Sequence, residues 1–338
     1  MKKIIYIIGI GGRTGAMFAR ELQDTADIIG VGMKDEVARI AAGTVTVARC
    51  GAVPEVLRVE AVDAADFETA IARKMPDFII LAVRNPVTEA VKFYYRHFKG
   101  KENIPALILS QNGLAAIGDA KAALNQTLGV AADRVRIIRM SLINGVDAKF
   151  EDGTFRVSYK RPIKLGFGAI DGQGAADLKE VLTAAGIKCE EFKGKGVLEM
   201  ENSKLFTNLI GMAAAVRGTA VEAGLLDKEI FRQEVAMLRE YVLTTKASGG
   251  GFAGFFCGYP IKFLAGLMLL PVWLLLPFRK ILAAIVAKGR NRPKDLGEVD
   301  YYNGAVVGLG NRFKVAVPVN EKVLADAKEL LTRLSKGR

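Results

Sequence analysis

The feature that most constrains this chain lies in its first sixteen residues. An uninterrupted apolar run, Ile4-Ile5-Tyr6-Ile7-Ile8, leads straight into Gly9-Ile10-Gly11-Gly12-Arg13-Thr14-Gly15-Ala16. A short continuous apolar run closed by glycines reads as a buried strand, and the segment after the glycines reads as a helix. Gly9 permits a tight turn, and Gly11 lets the backbone come close to a ligand. The first turn of the helix then offers its N–H groups to an anion. Gly12, Arg13 and Thr14 complete the turn; the usual third glycine of the pattern is Thr14 here, with Gly15 beside it. Placed between a strand and a helix, this turn predicts the phosphate-binding start of a doubly wound α/β sheet, with a dinucleotide as its ligand. The alternative is a glycine-rich turn in some other α/β protein.

The same apolar signature returns at residues 28–31, 78–83, 106–109 and 135–138, separated by helix-length segments. Such runs predict a parallel sheet covered on both faces. Between Gly153 and Gly168 the pattern becomes hairpin-like, with short strands at residues 154–159 and 163–167. After Gly172-Gln173-Gly174 the chain turns mainly helical, at residues 175–185, 197–216, 228–245, 296–307 and 320–334. The expected architecture is therefore α/β: an N-terminal Rossmann domain with a doubly wound parallel sheet over residues 1–170, then an all-helical substrate and dimerisation domain over residues 175–338. An apolar insertion around residues 252–280 interrupts the second domain.

Cys50, Cys189 and Cys257 are odd in number and far apart. They argue against a disulfide framework or a zinc cluster, and fit a reducing cytoplasm. One histidine, His97, cannot supply a metal site or a catalytic triad by itself, so no metal is expected and a proton donor would be a lysine or a carboxyl group. The net charge of +12 invites a nucleic-acid reading. Its distribution argues otherwise. From residue 241 to 294 there is no acid, while Lys246, Lys262, Arg279, Lys280, Lys288, Arg290, Arg292 and Lys294 add eight positive charges. No aromatic residues interleave with the densest part as they do on a base-stacking platform, which leaves a solvated surface or an anionic membrane face, with no nucleic acid. The opening Met1-Lys2-Lys3 with the apolar run of about seven residues after it sits at the low end of the range for a signal peptide, but it leads into glycines and not a cleavage site, so it reads as a buried strand.

About twenty residues beyond the glycine turn, where the ribose is recognised, stands Gly32-Met33-Lys34-Asp35. An acid there favours NAD and a basic residue favours the 2′-phosphate of NADP. Lys34 and Arg13 tilt the reading to NADP, against Asp35; a merely solvated Lys34 is the alternative. In the second half, Glu201-Asn202-Ser203-Lys204-Leu205-Phe206-Thr207-Asn208 puts Lys204 and Asn208 four residues apart, on one face of a helix. Gly211 and Ala215 continue that stripe and would leave room for a ligand, while Leu205, Leu209, Met212 and Val216 form the packing face. Glu298 lies on a later predicted helix, in Leu296-Gly297-Glu298-Val299-Asp300-Tyr301-Tyr302-Asn303-Gly304, and Val315-Ala316-Val317-Pro318-Val319-Asn320 follows.

Taken together, these segments resemble the ketopantoate reductase (2-dehydropantoate 2-reductase) family over nearly the whole chain and in the same order. The glycine turn, the strand ending Ala82-Val83-Arg84, Ser110-Gln111-Asn112-Gly113, the Lys204/Asn208 helix, the Glu298-to-Asn303 segment and Pro318 with Asn320 carry the likeness. The resemblance implies a Rossmann domain, an all-helical domain and an active site in the cleft between them. It further implies hydride transfer from NADPH to the carbonyl carbon of a 2-oxo acid, the reaction used in pantothenate biosynthesis. By position, Lys204 would be the general acid. Asn112 and Asn208 would orient substrate and lysine, and Glu298 would bind the substrate hydroxyl or hold the lysine. Gly9, Gly11, Gly12, Arg13, Thr14, Lys34, Arg84 and Asn112 form the expected cofactor side. Three positions depart from the family: Met212 replaces an asparagine, Ile285-Val286-Ala287 stands where serines are usual, and Arg84 replaces a lysine. Groups that do chemistry are kept, and groups that recognise ketopantoate are changed. The alternatives are a reductase of a larger apolar or lipid-like carbonyl, and a non-catalytic NADP-binding sensor or membrane-associated scaffold.

The stretch 252–278 is uncharged apart from Lys262, and Pro271 and Pro277 interrupt its 16-residue core at 263–278. A spanning helix needs about 20 apolar residues. That leaves a helical pair buried in the core or at a homodimer interface, or an interfacial element. In the last case Phe255, Phe256, Trp273 and Phe278 would enter lipid while Arg279, Lys280 and later basic residues meet anionic headgroups across residues 252–294. The expected location is cytoplasmic, with contact at the membrane periphery under that last reading.

Overall fold

The first apolar run forms β1 (Ile4–Ile8), and period-two alternation sends its side chains to two different cores. Ile5 and Ile7 join one cluster, Tyr6 and Ile8 the other. A strand buried on both faces has no polar face to show, which is why its sequence is apolar throughout. A computed structural model describes residues 2–287 and 294–336 of the chain. These form two compact units: Met1–Gln111 with Ala116–Val197, and Asn112–Ala115 with Leu198–Arg338.

After β1 the first unit runs α1 (Arg13–Leu22), β2 (Asp27–Gly32), α2 (Lys34–Ala41), β3 (Val45–Arg49), β4 (Glu55–Val56), β5 (Glu60–Asp63), α3 (Phe67–Arg73), β6 (Phe78–Leu81), α4 (Thr88–Tyr95) and β7 (Ala106–Leu109). It continues through α5 (Ala115–Leu128), β8 (Ile137–Leu142), β9 (Val146–Glu151), β10 (Thr154–Tyr159), β11 (Lys164–Ala169), α6 (Ala176–Ala184) and β12 (Lys188–Glu191). The main sheet has the order β12-β11-β8-β7-β6-β1-β2-β5 and is parallel from β5 to β8. β11 pairs antiparallel with β8, and β12 parallel with β11. This is the doubly wound sheet that the sequence predicts.

Two expectations change here. The segment at residues 154–159 is half of a hairpin, but its partner is β9, joined through Asp152-Gly153, and not the strand at 163–167. β9, β10, β3 and β4 make a small second sheet, while β11 belongs to the main one. Because α6 and β12 complete the main sheet, the first unit extends to Val197 and does not end near residue 170. The glycines at 172–174 punctuate a loop inside the unit, not a domain boundary. Fully buried Glu21 on α1 joins the small sheet to that helix: it accepts from Arg49 Nε (3.0 Å), from the Tyr159 hydroxyl (2.5 Å) and from Arg161. A buried carboxylate is tolerable only when its oxygens are paired in this way.

α7 (Lys195–Leu209) leads into the second unit, which continues with α8 (Met212–Ala215), α9 (Val221–Leu226), α10 (Lys228–Ala247), α11 (Ile261–Leu267), α12 (Val272–Leu275), α13 (Arg279–Ala287), α14 (Asn303–Phe313) and α15 (Pro318–Lys336). α10 starts sharply because the Asp227 side chain caps the N–H groups of Glu229 and Ile230 at 2.8 and 2.9 Å. Glu240 on α10 performs the same service for α15, accepting from Val319 N and Asn320 N, each at 2.9 Å. Fully buried Asn320 also donates to Glu240 at 2.7 Å, and Asn303 donates to Asn320 at 3.0 Å. Asn303 and Asn320, two residues that carry the family resemblance, are thus structural ties among α10, α14 and α15.

The helix predicted over residues 197–216 is broken. Gly211 adopts φ +92°, and α8 starts after it. Among the described residues no helix is long and apolar enough to cross a membrane; the apolar insertion is three short helices. Phe256 is fully buried, so it leaves the set of residues expected to face lipid. Lys288, Arg290 and Arg292 lie outside the described residues, as do the side chains of Ile285 and Ala287.

Candidate functional site

In the first unit the chain leaves β1 towards β2 on one side and later returns to β6 on the other. That reversal opens a crevice at the carboxyl ends of β1 and β6, the place where doubly wound sheets take ligands. The glycine turn sits there. Gly9 N donates to Val31 O at 2.9 Å, and Gly9 has φ +87°. A Cβ on Gly9 would stand 2.9 Å from Ala82 O, so the turn and the end of β6 are too close for any side chain. Gly12 precedes the first turn of α1, and its N–H donates to Gly9 O at 3.0 Å. A Cβ on Gly15 would lie 2.2 Å from Gly9 O. Close packing of helix on strand, the task of the third glycine, therefore falls to Gly15, one residue later than the pattern places it. Thr14 is half-buried and Arg13 is exposed at the first helical position. Arg84 follows β6 at the crevice and is also exposed. The tight glycine turn and the open N-terminus of α1 fit a pyrophosphate.

At the ribose position the structure brings forward a residue the sequence reading missed. Glu36, on the first turn of α2, folds its carboxylate back to accept from Met33 N at 2.9 Å. The same group lies against both glycine segments: a Cβ on Gly11 would fall 2.3 Å from Glu36 Cδ, and one on Gly32 2.7 Å from Glu36 Oε2. Asp35 instead pairs with Arg39 at 2.8 Å, and Lys34 is exposed. The signal was present as an acid at the third position of a helix start, the spacing of a capping box.

In the second unit, Lys204 and Asn208 share one face of α7, as the spacing predicts. Lys204 is half-buried, not on a solvated face, and Asn208 is buried. Asn208 Nδ2 donates to Asn112 Oδ1 at 3.2 Å. Asn112 Nδ2 donates in turn to Glu298 Oε2 at 2.9 Å and to the Tyr302 hydroxyl at 3.2 Å, and Tyr302 donates to the same Glu298 oxygen. Both donors fall on Oε2, which keeps Oε1 as an acceptor. The neighbouring Gly113 explains how the loop comes so near: φ is +92°, and a Cβ would stand 3.1 Å from Tyr301 O. Asn112, expected on the cofactor side, is thereby tied to Asn208 and Glu298, which the resemblance places with the substrate. Residues 112, 208, 298 and 302, from three separate segments of the sequence, form one hydrogen-bonded chain.

Tyr302 and Lys294 were not predicted as site residues. Lys294, counted among the basic run, donates Nζ to Thr207 O at 3.2 Å and to Asn208 O, at the carboxyl end of α7. A cation there complements the helix dipole and holds the turn that carries Asn208. Lys294, Glu298 and Tyr302 recur every four residues, a periodicity that could have revealed both.

Two expectations are corrected. Gly211 does not leave room for a ligand: a Cβ there would lie 2.6 Å from Val221 Cγ2, so its smallness serves packing. Ala215, the next residue of that stripe, is likewise buried, beyond the break. Glu298 lies in a short 3₁₀ turn, Leu296–Tyr301, before α14 and not on the predicted long helix. Buried Glu234 on α10 accepts from Gly211 N and, at 3.2 Å, from Ala213 N. Burial pushes its carboxyl up to about 7 against the pull of those N–H groups and of Lys294.

No family model matches this sequence, and no curated protein matches it either. Solved structures do match. A D-mandelate dehydrogenase, in a ternary complex with NADH and anilino(oxo)acetate, aligns at TM-score 0.71 and 14% identity, over 96% of this chain and 97% of the other. A PanE/ApbA family ketopantoate reductase from Ralstonia eutropha aligns at TM-score 0.69 and 16% identity, over 98% and 99%. A 2-dehydropantoate 2-reductase from Methylococcus capsulatus aligns at TM-score 0.69 and 18% identity, over 98% and 97%. The fold is that of the ketopantoate reductases, carried by a strongly divergent sequence.

Proposed function

We propose that this chain is a nicotinamide-dinucleotide-dependent reductase of a 2-oxo acid or related carbonyl, with Lys204 as general acid. The observation that carries the reading is the Asn208–Asn112–Glu298–Tyr302 chain of hydrogen bonds beside the helix that bears Lys204. Neither a bare dinucleotide sensor nor a scaffold needs such a cluster.

When bound, the dinucleotide supplies the hydride. Negative charge then builds on the carbonyl oxygen, and the ammonium of Lys204 both stabilises it and gives it a proton from Nζ. Asn208, one helical turn on, fixes the Asn112 amide, and Lys294 fixes the turn that holds Asn208. Glu298 Oε1 is offered to a substrate hydroxyl or to the lysine. Met212, fully buried at the start of α8, brings no amide to a substrate hydroxyl. A buried unpaired hydroxyl costs roughly 1–3 kcal/mol, so the substrate is read as more apolar than ketopantoate.

Glu36 supports a reading of the dinucleotide's form. A carboxylate accepts hydrogen bonds from a ribose diol, whereas the 2′-phosphate of NADP would sit beside it as a like charge. At about 5 Å and an effective dielectric constant of about 20, each unit of that repulsion is roughly 3 kcal/mol. Lys34 and Arg13, which tilt the bare sequence to NADP, are both exposed. The reading is therefore NADH over NADPH, in keeping with the NADH held by the D-mandelate dehydrogenase structure.

Oxidation of NADH and of NADPH, followed by absorbance with a panel of short, branched and aromatic 2-oxo acids, tests both statements. Turnover of at least one acid with NADH preferred is expected, and Glu36→Gln should narrow that preference. Binding of either dinucleotide without turnover of any acid would overturn the 2-oxo acid as substrate and favour the sensor reading. Equal or better use of NADPH would end the role given to Glu36.

A further inference from the structure

The described residues expose seventeen large apolar side chains, and eight of them fall within residues 255–281: Phe255, Tyr259, Phe263, Leu270, Trp273, Leu274, Phe278 and Ile281. That concentration is not scatter, and it coincides with the segment from 241 to 294 that holds no acid. Each of the short helices is sided. On α11, Ile261 and Ala265 are buried while Lys262 and Phe263 are exposed. Around α12, Leu275 is buried while Trp273, Leu274 and Phe278 are exposed. On α13, Ala283 is buried while Lys280 and Ile281 are exposed. The outward sides carry large apolar groups next to cations, where a water-facing helix would carry mixed charges.

The platform is also fixed in place. Arg239 on α10 donates Nε to Met268 O at 2.9 Å and reaches Leu270 O as well, so the turn between α11 and α12 is clamped. Arg279 donates Nε to Leu226 O at 3.2 Å, which ties the start of α13 to α9. Exposed apolar groups held on a preformed surface lose little entropy when they are covered.

We propose that this face is a monotopic docking surface for an anionic lipid bilayer. Trp273, Phe263, Phe278 and Ile281 enter the boundary between headgroups and acyl chains, and Lys262 and Lys280 meet the anionic headgroups. Charge decides the occupant. A second copy docking through the same face would bring its own lysines against these, with no acid between residues 241 and 294 to pair them. A bilayer with acidic headgroups satisfies the apolar and cationic groups together, and an indole is suited to that boundary. None of the helices spans, so the attachment is in the plane of the surface.

Trp273 is the only tryptophan of the chain and is 66% exposed, so it reports directly. The full-length protein is mixed at low salt with phosphatidylcholine vesicles, with and without phosphatidylglycerol. Emission is recorded, and sedimentation with the vesicles is measured. A blue shift and co-sedimentation with phosphatidylglycerol vesicles alone are expected. Paired Lys262→Gln and Lys280→Gln should weaken binding roughly thirtyfold, since each basic side chain near such a surface contributes about fivefold. Phe263→Ser with Phe278→Ser should abolish the blue shift, with an unchanged circular-dichroism spectrum as the check on folding. Unchanged emission and no co-sedimentation at saturating phosphatidylglycerol would overturn the proposal. So would a blue shift that grows with protein concentration in the absence of lipid, which would assign the face to contact between copies. Both readouts are independent of turnover, so they stand apart from the reductase reading.

Discussion

Replacing Gly211 with alanine separates two accounts of the junction after α7. Read as sequence, Gly211 extends the Lys204/Asn208 stripe and makes space for a ligand. In the structure it sits at φ +92°, with Val221 Cγ2 and Cγ1 at 2.6 and 2.9 Å from the place a Cβ would take. Two costs add. Holding an alanine in the left-handed region costs about 1–2 kcal/mol, and relieving the overlap in a fully buried site costs about 1–3 kcal/mol. The sum, about 2–5 kcal/mol, should lower Tm by roughly 3–7 °C for a protein of this size. Calorimetry and steady-state kinetics on Gly211→Ala check this together: a large drop in Tm with an unchanged KM for the oxo acid is expected. A double variant with Val221→Ala should cost less than the two single variants added, because the overlap is shared. A variant that keeps the wild-type Tm and raises KM would refute the packing account and restore the ligand one.

Further outcomes follow from the same geometry. Gly15→Ala should abolish dinucleotide binding, measured by NADH fluorescence titration, since a Cβ 2.2 Å from Gly9 O meets backbone that cannot turn aside; affinity within twofold of wild type would refute this. Glu234, whose carboxyl is pushed up to about 7 from its ordinary 4.5, keeps its proton in the folded state after the unfolded chain has lost its own. Stability should therefore fall as pH rises from about 4.5 to about 7, by about 3 kcal/mol, and level off above. Urea midpoints across that range should show the slope, and Glu234→Gln should remove it. Lys294→Met takes away a charge that favours the ionised form, so the slope should extend to higher pH. Tyr302→Phe removes one donor from Glu298 Oε2 and should lower kcat/KM about three- to tenfold with little change in Tm.

Much of the fold was legible because the sequence repeats one physical device. Strands with both faces buried must be apolar throughout, and β1, β6 and β7 were read from that alone. The glycine turn was legible because Gly9 and Gly11 do what only glycine can. Its third member was misplaced by one residue, since nothing in spacing says whether Thr14 or Gly15 touches Gly9 O. The hairpin partner of β10 and the extension of the main sheet through β12 depend on long-range pairing that local pattern does not carry. Lys204, Asn208, Asn112 and Glu298 were found as separate motifs. That the last three join through one chain of amide and carboxylate groups is a fact of tertiary structure. Glu36 escaped notice because its side chain, not its position along the strand, reaches the glycine turn. Lys294 was hidden by its neighbours: in a run of cations, nothing marks the one that turns inward.

The central claim is that Lys204 gives the proton. Lys204→Ala, assayed with the best 2-oxo acid for kcat and by fluorescence titration for dinucleotide affinity, tests it most directly. Loss of about 10²–10⁴ in kcat with dinucleotide affinity unchanged is the predicted result. Turnover close to wild type in the folded variant would contradict the account.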